Sequence, residues 1–247
     1  YDLIVGLNVF AHYSDVQNSF KLINKILKNN GSFIFEVAYA FDTIHNSKYD
    51  TIYHEHVFNH TATGLKKMLE LANLNLIKIE KIKTQGGSLR IYAQKKPKTS
   101  SINIKLLEIE KKHKVNSIKT YKKISKLITN KIHEIDSIYN QHIRKDKNLL
   151  FVGAPARGVI FFNTTLFKNH KKILCIDDSK TKSNCYFPGS NFKIKLANKN
   201  MDLIKKSQQA VILSWNYKKT LIERLKKHNF KGKIYIFFPK TEIIYLS

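Results

Sequence analysis

Residues 1–12, YDLIVGLNVFAH, and residues 32–38, SFIFEVA, decide the fold, because each is a short apolar run and the chain between them is patterned differently. Asp2 to Val9 reads as a buried strand ending in a polar tip, and SFIFEVA as a second buried strand. Between them Val16, Phe20, Ile23 and Leu27 recur at helical spacing, with Ser14 or Asp15 as N-cap and Gly31 past the end, so Ser14 to Asn29 reads as a helix. A strand, a helix and a strand joined by short turns place two parallel strands in an α/β sheet, where ligands bind beyond the strands' C-terminal ends. Asn8, Phe10 and His12 lie at one such end and Glu36 near the other.

Moving outward, Thr61 to Asn73 reads as an amphipathic helix through Leu65, Met68, Leu69 and Ala72. Two strands, Asn75–Ile82 and Ser88–Gln94, follow with Gly86 and Gly87 turning the chain between them. The polar run KKPKTSS from Lys95 reads as a linker, and Ile118, Tyr121, Ile124, Leu127 or Ile128, Ile132, Ile135 and Ile138 then recur every three to four residues. That pattern predicts one long helix or two, with His113, His133 and His142 on its solvated surface. A second α/β domain begins at NLLFVGAPARGVIFFN and alternates through KILCIDD, QAVILSWN, a helix over Tyr217 to His228, and GKIYIFFP. The expected domains are 1–96, a helical linker 97–147, and 148–247.

Chemistry concentrates in YDTIYHEHV, residues 49–57. An imidazole titrates near neutral pH and suits proton abstraction, a carboxylate beside it tunes its basicity, and a Tyr hydroxyl donates to an oxygen gaining charge. His56, Glu55 and Tyr53 are therefore candidates for base, tuner and oxyanion donor. Extended backbone would put Tyr53 and Glu55 on one face and His56 on the other, so convergence requires a turn. The alternatives are a solvated polar loop and a metal site built on His54, His56 and His60, for which no second cluster of ligands completes the set. In GAPARG, Gly153 and Gly158 let backbone amides approach an anion and Arg157 adds charge, while Asp177 stands where a nucleotide-binding unit carries its ribose acid. The loop is neither a Walker loop nor a G-x-G-x-x-G dinucleotide loop. Two of only four arginines, Arg90 and Arg157, lie in glycine motifs, which fits phosphate or ketone binding or a structural salt bridge.

Composition bounds the rest. With 247 residues, 43% of them hydrophobic, the chain suits two modest domains. No apolar run reaches the roughly 20 residues of a membrane span and no signal peptide is visible, which predicts a cytoplasmic protein without membrane partners. Cys175 and Cys185 are too few for a disulfide framework. The net charge of +26 is almost all Lys, spread among Asn and Ile, and no nucleic-acid-binding motif accompanies it, so specific nucleic-acid binding is not expected.

NVFAH, YDTIYHEHV, GGSLRIY, GAPARG and LSWN, in this order, resemble the sugar C-methyltransferases that use S-adenosylmethionine. The resemblance implies a class I methyltransferase (Rossmann-like) sheet followed by a C-terminal Rossmann-like α/β domain. On that match the strand from Asp2 is the fourth of the methyltransferase sheet, so the family's glycine-rich cofactor loop and N-terminal zinc domain are expected to lie ahead of Tyr1 in a longer protein. The implied reaction is methylation at C-3, beside the ketone, of a nucleotide-linked 4-keto-deoxyhexose. His56 is then the general base, Glu55 orients it or supports the enolate, and Tyr53 and His12 face the sugar and the developing oxyanion. Asn8 and Phe10 touch the cofactor, and Ser88, Arg90, Gly153, Arg157, Gly158 and Asp177 touch the substrate. The protein is expected to act as a monomer. Two other readings stay open: a non-catalytic nucleotide-sugar-binding remnant, and an NAD-dependent enzyme built on Gly153–Gly158, which lacks the dinucleotide fingerprint.

Overall fold

A computed structural model describes residues 1–46, 48–96, 105–145 and 148–247, so that 97–104 and 146–147 of the expected linker fall outside the described residues. The chain forms two compact units, Tyr1–His45 with His54–Ile124, and Asn46–Tyr53 with Ser125–Ser247. This division differs from three consecutive segments in two ways. Residues 46–53 leave the first unit for the second, and the helical stretch is shared between them. The reason is burial: Glu110 and Val115 are buried in unit 1, whereas Ile135, Tyr139 and Ile143 join the core of unit 2.

In unit 1, strand β1 (Leu3–Leu7) leads through helix α1 (Val16–Ile26) to strand β2 (Ser32–Ala38) and the short helix α2 (Ala40–His45). Helix α3 (Ala62–Leu71), strands β3 (Asn75–Ile82) and β4 (Ser88–Gln94), and helix α4 (Lys105–Lys112) follow. The sheet order is β1-β2-β4-β3, with β1 parallel to β2 and β4 antiparallel to both its neighbours. The hairpin turns where Gly86 and Gly87 take φ of 86° and 124°, conformations open to glycine. Helix α1 starts where Asp15 Oδ1 accepts from the N–H of Asn18 at 2.9 Å, and it buries Val16, Phe20 and Ile23. Helix α3 has Thr61 as N-cap and a second cap from α4, the buried Glu110 carboxylate, which accepts from the N–H groups of Ala62 at 2.6 Å and Thr63 at 2.8 Å. The expected buried first strand is covered on one face only: β1 is an edge strand, and Leu3, Val5 and Leu7 are each about half exposed.

Unit 2 takes the end of helix α5 (Ile118–Ile138), then strand β5 (Leu149–Val152), helix α6 (Ala156–Thr164), and strands β6 (Ile173–Asp177) and β7 (Ile194–Leu196). Helix α7 (Asp202–Lys205), strand β8 (Gln209–Ile212), helix α8 (Lys218–Lys227), and strands β9 (Gly232–Ile236) and β10 (Glu242–Leu246) complete it. Its sheet order is β10-β9-β8-β5-β6-β7, parallel except for β10. The chain winds to one side from β5 through β6 and to the other from β8, so a topological switch point falls between β5 and β8. Phe151, Phe161, Phe167, Phe187 and Phe237 fill the core. Among the described residues no helix is long and apolar enough to cross a membrane.

Candidate active site

The loop after β1 turns at Asn8, which takes φ 55°, a left-handed conformation Asn tolerates, and donates its N–H to Glu36 O at 3.0 Å. The Phe10 ring is directed inward. It is 6% exposed and packs edge-on against Phe20, Phe33 and Phe35 at 5.3 to 5.6 Å between centroids. Expected at the cofactor, Phe10 is instead part of the hydrophobic core, because four aromatic rings gain more by excluding water together than one does at a surface.

Residues 54–60 lie across this loop within unit 1. Phe58 donates its N–H to Ala11 O at 3.3 Å, and the ring of His60 contacts Phe10 O through Nε2 at 3.2 Å. Burial holds His60 below the ordinary histidine range, so it serves as a neutral structural donor. His12 Nδ1 lies 2.8 Å from Glu55 O. A carbonyl oxygen only accepts, so Nδ1 carries a proton and Nε2 of the neutral ring keeps its lone pair. The His12 and His56 rings meet edge to face with centroids 5.0 Å apart. The structure thus brings His12, Glu55 and His56 together, with Glu55 entering through its backbone. Its carboxylate is exposed and stands 4.0 Å from the still more exposed His54. Tyr53 is half-buried and is the last residue of the segment assigned to unit 2.

The other expected substrate residues of unit 1 are engaged within the fold. Ser88 is 0% exposed and donates its hydroxyl to Thr84 O at 3.1 Å. Arg90 lies opposite Glu36 across β4 and β2, and its Nε and Nη2 reach Glu36 Oε1 at 2.7 and 2.6 Å. The salt bridge that was an alternative for Arg90 is therefore formed.

In unit 2 the GAPARG residues divide. Gly153 and Asp177 line a crevice of about 410 Å³ at the C-terminal ends of β5, β6 and β8, together with Asp178, Ser214, Tyr217 and Arg224. Asp177 accepts from the N–H of Ala154 at 2.7 Å and of Ser179 at 2.9 Å, and Arg224 Nη1 pairs with Asp178 at 2.7 Å. The turn amide expected to meet an anion is thus held by the chain's own carboxylate. Gly158 is buried against Leu213. Arg157 stacks on Trp215, its guanidinium carbon 4.8 Å from the ring centroid. The Trp215 Nε1–H donates to Asp50 Oδ2 at 2.7 Å. Sequence reasoning does not single out Asp50 or Trp215 as site residues, although both lie inside the motifs YDTIYHEHV and LSWN. The signal that points to them is the single Trp of the chain directly after an apolar strand. Among the described residues no group of three or more His, Cys, Asp or Glu side chains is arranged to hold a metal.

Residues 83–239 match the family model for the C-methyltransferase C-terminal domain. The chain belongs to the C-methyltransferase family. It is also 22% identical over 246 residues to C-methyltransferase NovU of Streptomyces niveus, across 98% of this chain and 58% of that protein. This C-methyltransferase chain therefore spans about three-fifths of the curated relative it matches. Among solved structures it is similar to the magnesium protoporphyrin IX methyltransferase of Synechocystis PCC 6803 with bound SAH, at 15% identity over 38% of this chain and 44% of that one. The TM-score is 0.30. The matched C-terminal domain encloses Arg90, Arg157 and Trp215, while His12 and His56 precede it.

Proposed function

We propose that this C-methyltransferase chain serves the transfer of a methyl group from S-adenosylmethionine to C-3, beside the ketone, of a nucleotide-linked 4-keto-deoxyhexose. The observation that carries this reading is the pairing of His56 with a tautomer-fixed His12 at the C-terminal end of β1. The C-3 carbon becomes nucleophilic only when its proton leaves. His56 accepts that proton, the C–H electron pair becomes the enolate double bond, and negative charge moves to the ketone oxygen. Because His12 spends its Nδ1–H on Glu55 O, a neutral His12 presents a lone pair, and donation to the enolate requires its imidazolium form. Tyr53 carries a hydroxyl that donates without changing charge, which suits it better to the oxyanion.

The cofactor supplies an electrophilic methyl group. Of the two residues assigned to it, Asn8 fits, with a polar side chain at the strand's C-terminal tip, and Phe10 does not, because its ring is in the core. Unit 2 by itself offers the crevice lined by Gly153 and Asp177, whose volume suits a nucleotide portion.

The test is deuterium incorporation at C-3 of a dTDP-4-keto-deoxyhexose in heavy water, with no methyl donor, using the chain and its His56→Ala variant. The expected outcome is exchange that falls by about 10² to 10⁴-fold in the variant. Binding of the nucleotide-sugar without any exchange would replace this reading with a non-catalytic binding protein.

A further inference from the structure

Three bonds tie the loop after β1 to the segment that carries His56, and every residue in them belongs to unit 1. His12 Nδ1 donates to Glu55 O at 2.8 Å, Phe58 donates its N–H to Ala11 O at 3.3 Å, and His60 Nε2 reaches Phe10 O at 3.2 Å. Residues 12, 11 and 10 thus meet 55, 58 and 60 in turn, and His56 stands between the first bond and the second. Residues 54–59 form neither helix nor strand, so the place of His56 depends on side-chain and loop contacts of this kind.

Burial separates the three. His12 is exposed and water competes for its bond, whereas His60 is 5% exposed. A carbonyl oxygen only accepts, so His60 Nε2 carries a proton, and no solvent is at hand to replace that donor. Both ends of the bond are anchored independently. Phe10 is held by its ring among Phe20, Phe33 and Phe35, and His60 O accepts from the N–H of Ala40, the first residue of α2, at 2.9 Å. His60 also pairs as an isolated parallel bridge with Tyr39, and the next residue, Thr61, caps α3. The Phe58 ring lies nearly parallel to the His60 ring, with centroids 6.0 Å apart.

We propose that His60 is a positioning residue: its buried imidazole, anchored through its own carbonyl at the start of α2 and donating to Phe10 O, fastens residues 54–59 to the loop after β1 and so sets His56 against His12. The effect on catalysis rests on the proposed proton abstraction by His56. The fastening stands apart from it and has a readout of its own.

The experiment compares the full chain with His60→Phe and His60→Gln. Phe keeps a ring of similar size beside Phe58 and removes only the donor, and Gln places an amide N–H near the position of Nε2. Amide hydrogen exchange is followed by peptide, and C-3 proton exchange at varied substrate concentration supplies kcat and KM. In His60→Phe, exchange over 54–59 accelerates by about tenfold while β2, β3 and β4 keep their protection. In the same variant kcat falls by about 10²-fold with little change in KM, and His60→Gln recovers most of both losses. Unchanged protection over 54–59 in His60→Phe, or a loss spread through the sheet of unit 1, overturns the inference. So does local loosening with an unchanged kcat, or a His60→Gln chain as impaired as His60→Phe. If the unaltered chain shows no C-3 exchange, the proposed function fails, while the amide exchange still decides whether His60 fastens the segment.

Discussion

Asp50 Oδ2 accepts the indole N–H of Trp215 at 2.7 Å, a bond that spans 165 positions of sequence. Through it a residue from the middle of the first half of the chain is buried in the core region of unit 2. The partners around Asp50 are cationic or donating: Trp215 and Arg157 from the α/β core, and Lys48 from its own turn, with the Tyr49 hydroxyl close by.

This surrounding predicts a pH dependence. Burial is the largest influence on Asp50 and pushes its carboxyl up to about 6, against an ordinary value of 3.8, even though Trp215, Arg157 and Lys48 pull the other way. The folded chain thus holds this proton more tightly than the unfolded chain. The stabilisation is complete below pH 3.8 and is lost as pH rises through about 6. It amounts to roughly 3 kcal/mol between those limits. Urea denaturation at several pH values checks it: Asp50→Asn is expected to remove this falling component, leaving the variant's stability flatter than the parent's between pH 4 and 7. An identical slope in both proteins contradicts the assignment.

Arg90 and Glu36 give a second prediction. Glu36 is 4% exposed and receives two Arg90 nitrogens on one oxygen. Arg90→Leu leaves the buried Glu36 carboxylate unpaired and is expected to lower the urea denaturation midpoint. Adding Glu36→Gln removes the stranded charge and restores most of that loss. Were Arg90 a substrate residue alone, the single change would leave the denaturation midpoint in place and move only KM.

Gly153 supplies the third. It takes φ 86°, and a Cβ there would run into the Ser214 hydroxyl oxygen while lying 3.1 Å from Ser214 Cβ. Gly153→Ala is expected to cost about 2 kcal/mol from backbone strain and overlap together. Ser214→Gly in the same chain relieves the overlap and leaves the strain, so a double-mutant cycle reads a favourable coupling between the two sites. Additive effects would show that the two residues do not touch.

Local pattern is enough for most elements. The helix expected over Ser14 to Asn29 is α1 with its N-cap at Asp15, and the hairpin over Asn75–Ile82 and Ser88–Gln94 has the expected bounds. These rest on periodicity and turn chemistry, which neighbours in sequence determine. Strands β7 and β10 are not among the expected elements: β7 has only three residues, and β10, EIIYL, alternates half-buried and exposed positions at the sheet edge. His113, expected as a solvated residue, is exposed yet sets its ring edge-on to Phe41 at 5.2 Å and to His45 at 4.8 Å.

For the site, the sequence by itself determined which chemistry was on hand: imidazoles, two carboxylates and phenols crowded into nine residues, and glycines after an apolar strand. It also determined that the turn after β1 would carry His12. Only the tertiary structure decided the use of each group. It turned Phe10 into the core and Ser88 into a buried hydroxyl, paired Arg90 with Glu36, and drew Arg157 to Trp215. It also made Glu55 contribute through a carbonyl. The physical reason is that hydrogen bonding and desolvation depend on what lies within a few ångströms, and those neighbours come from strands and turns many tens of residues away. Spacing along the chain reports which face a side chain shares with its near neighbours, and holds no record of what the sheet order later places against it.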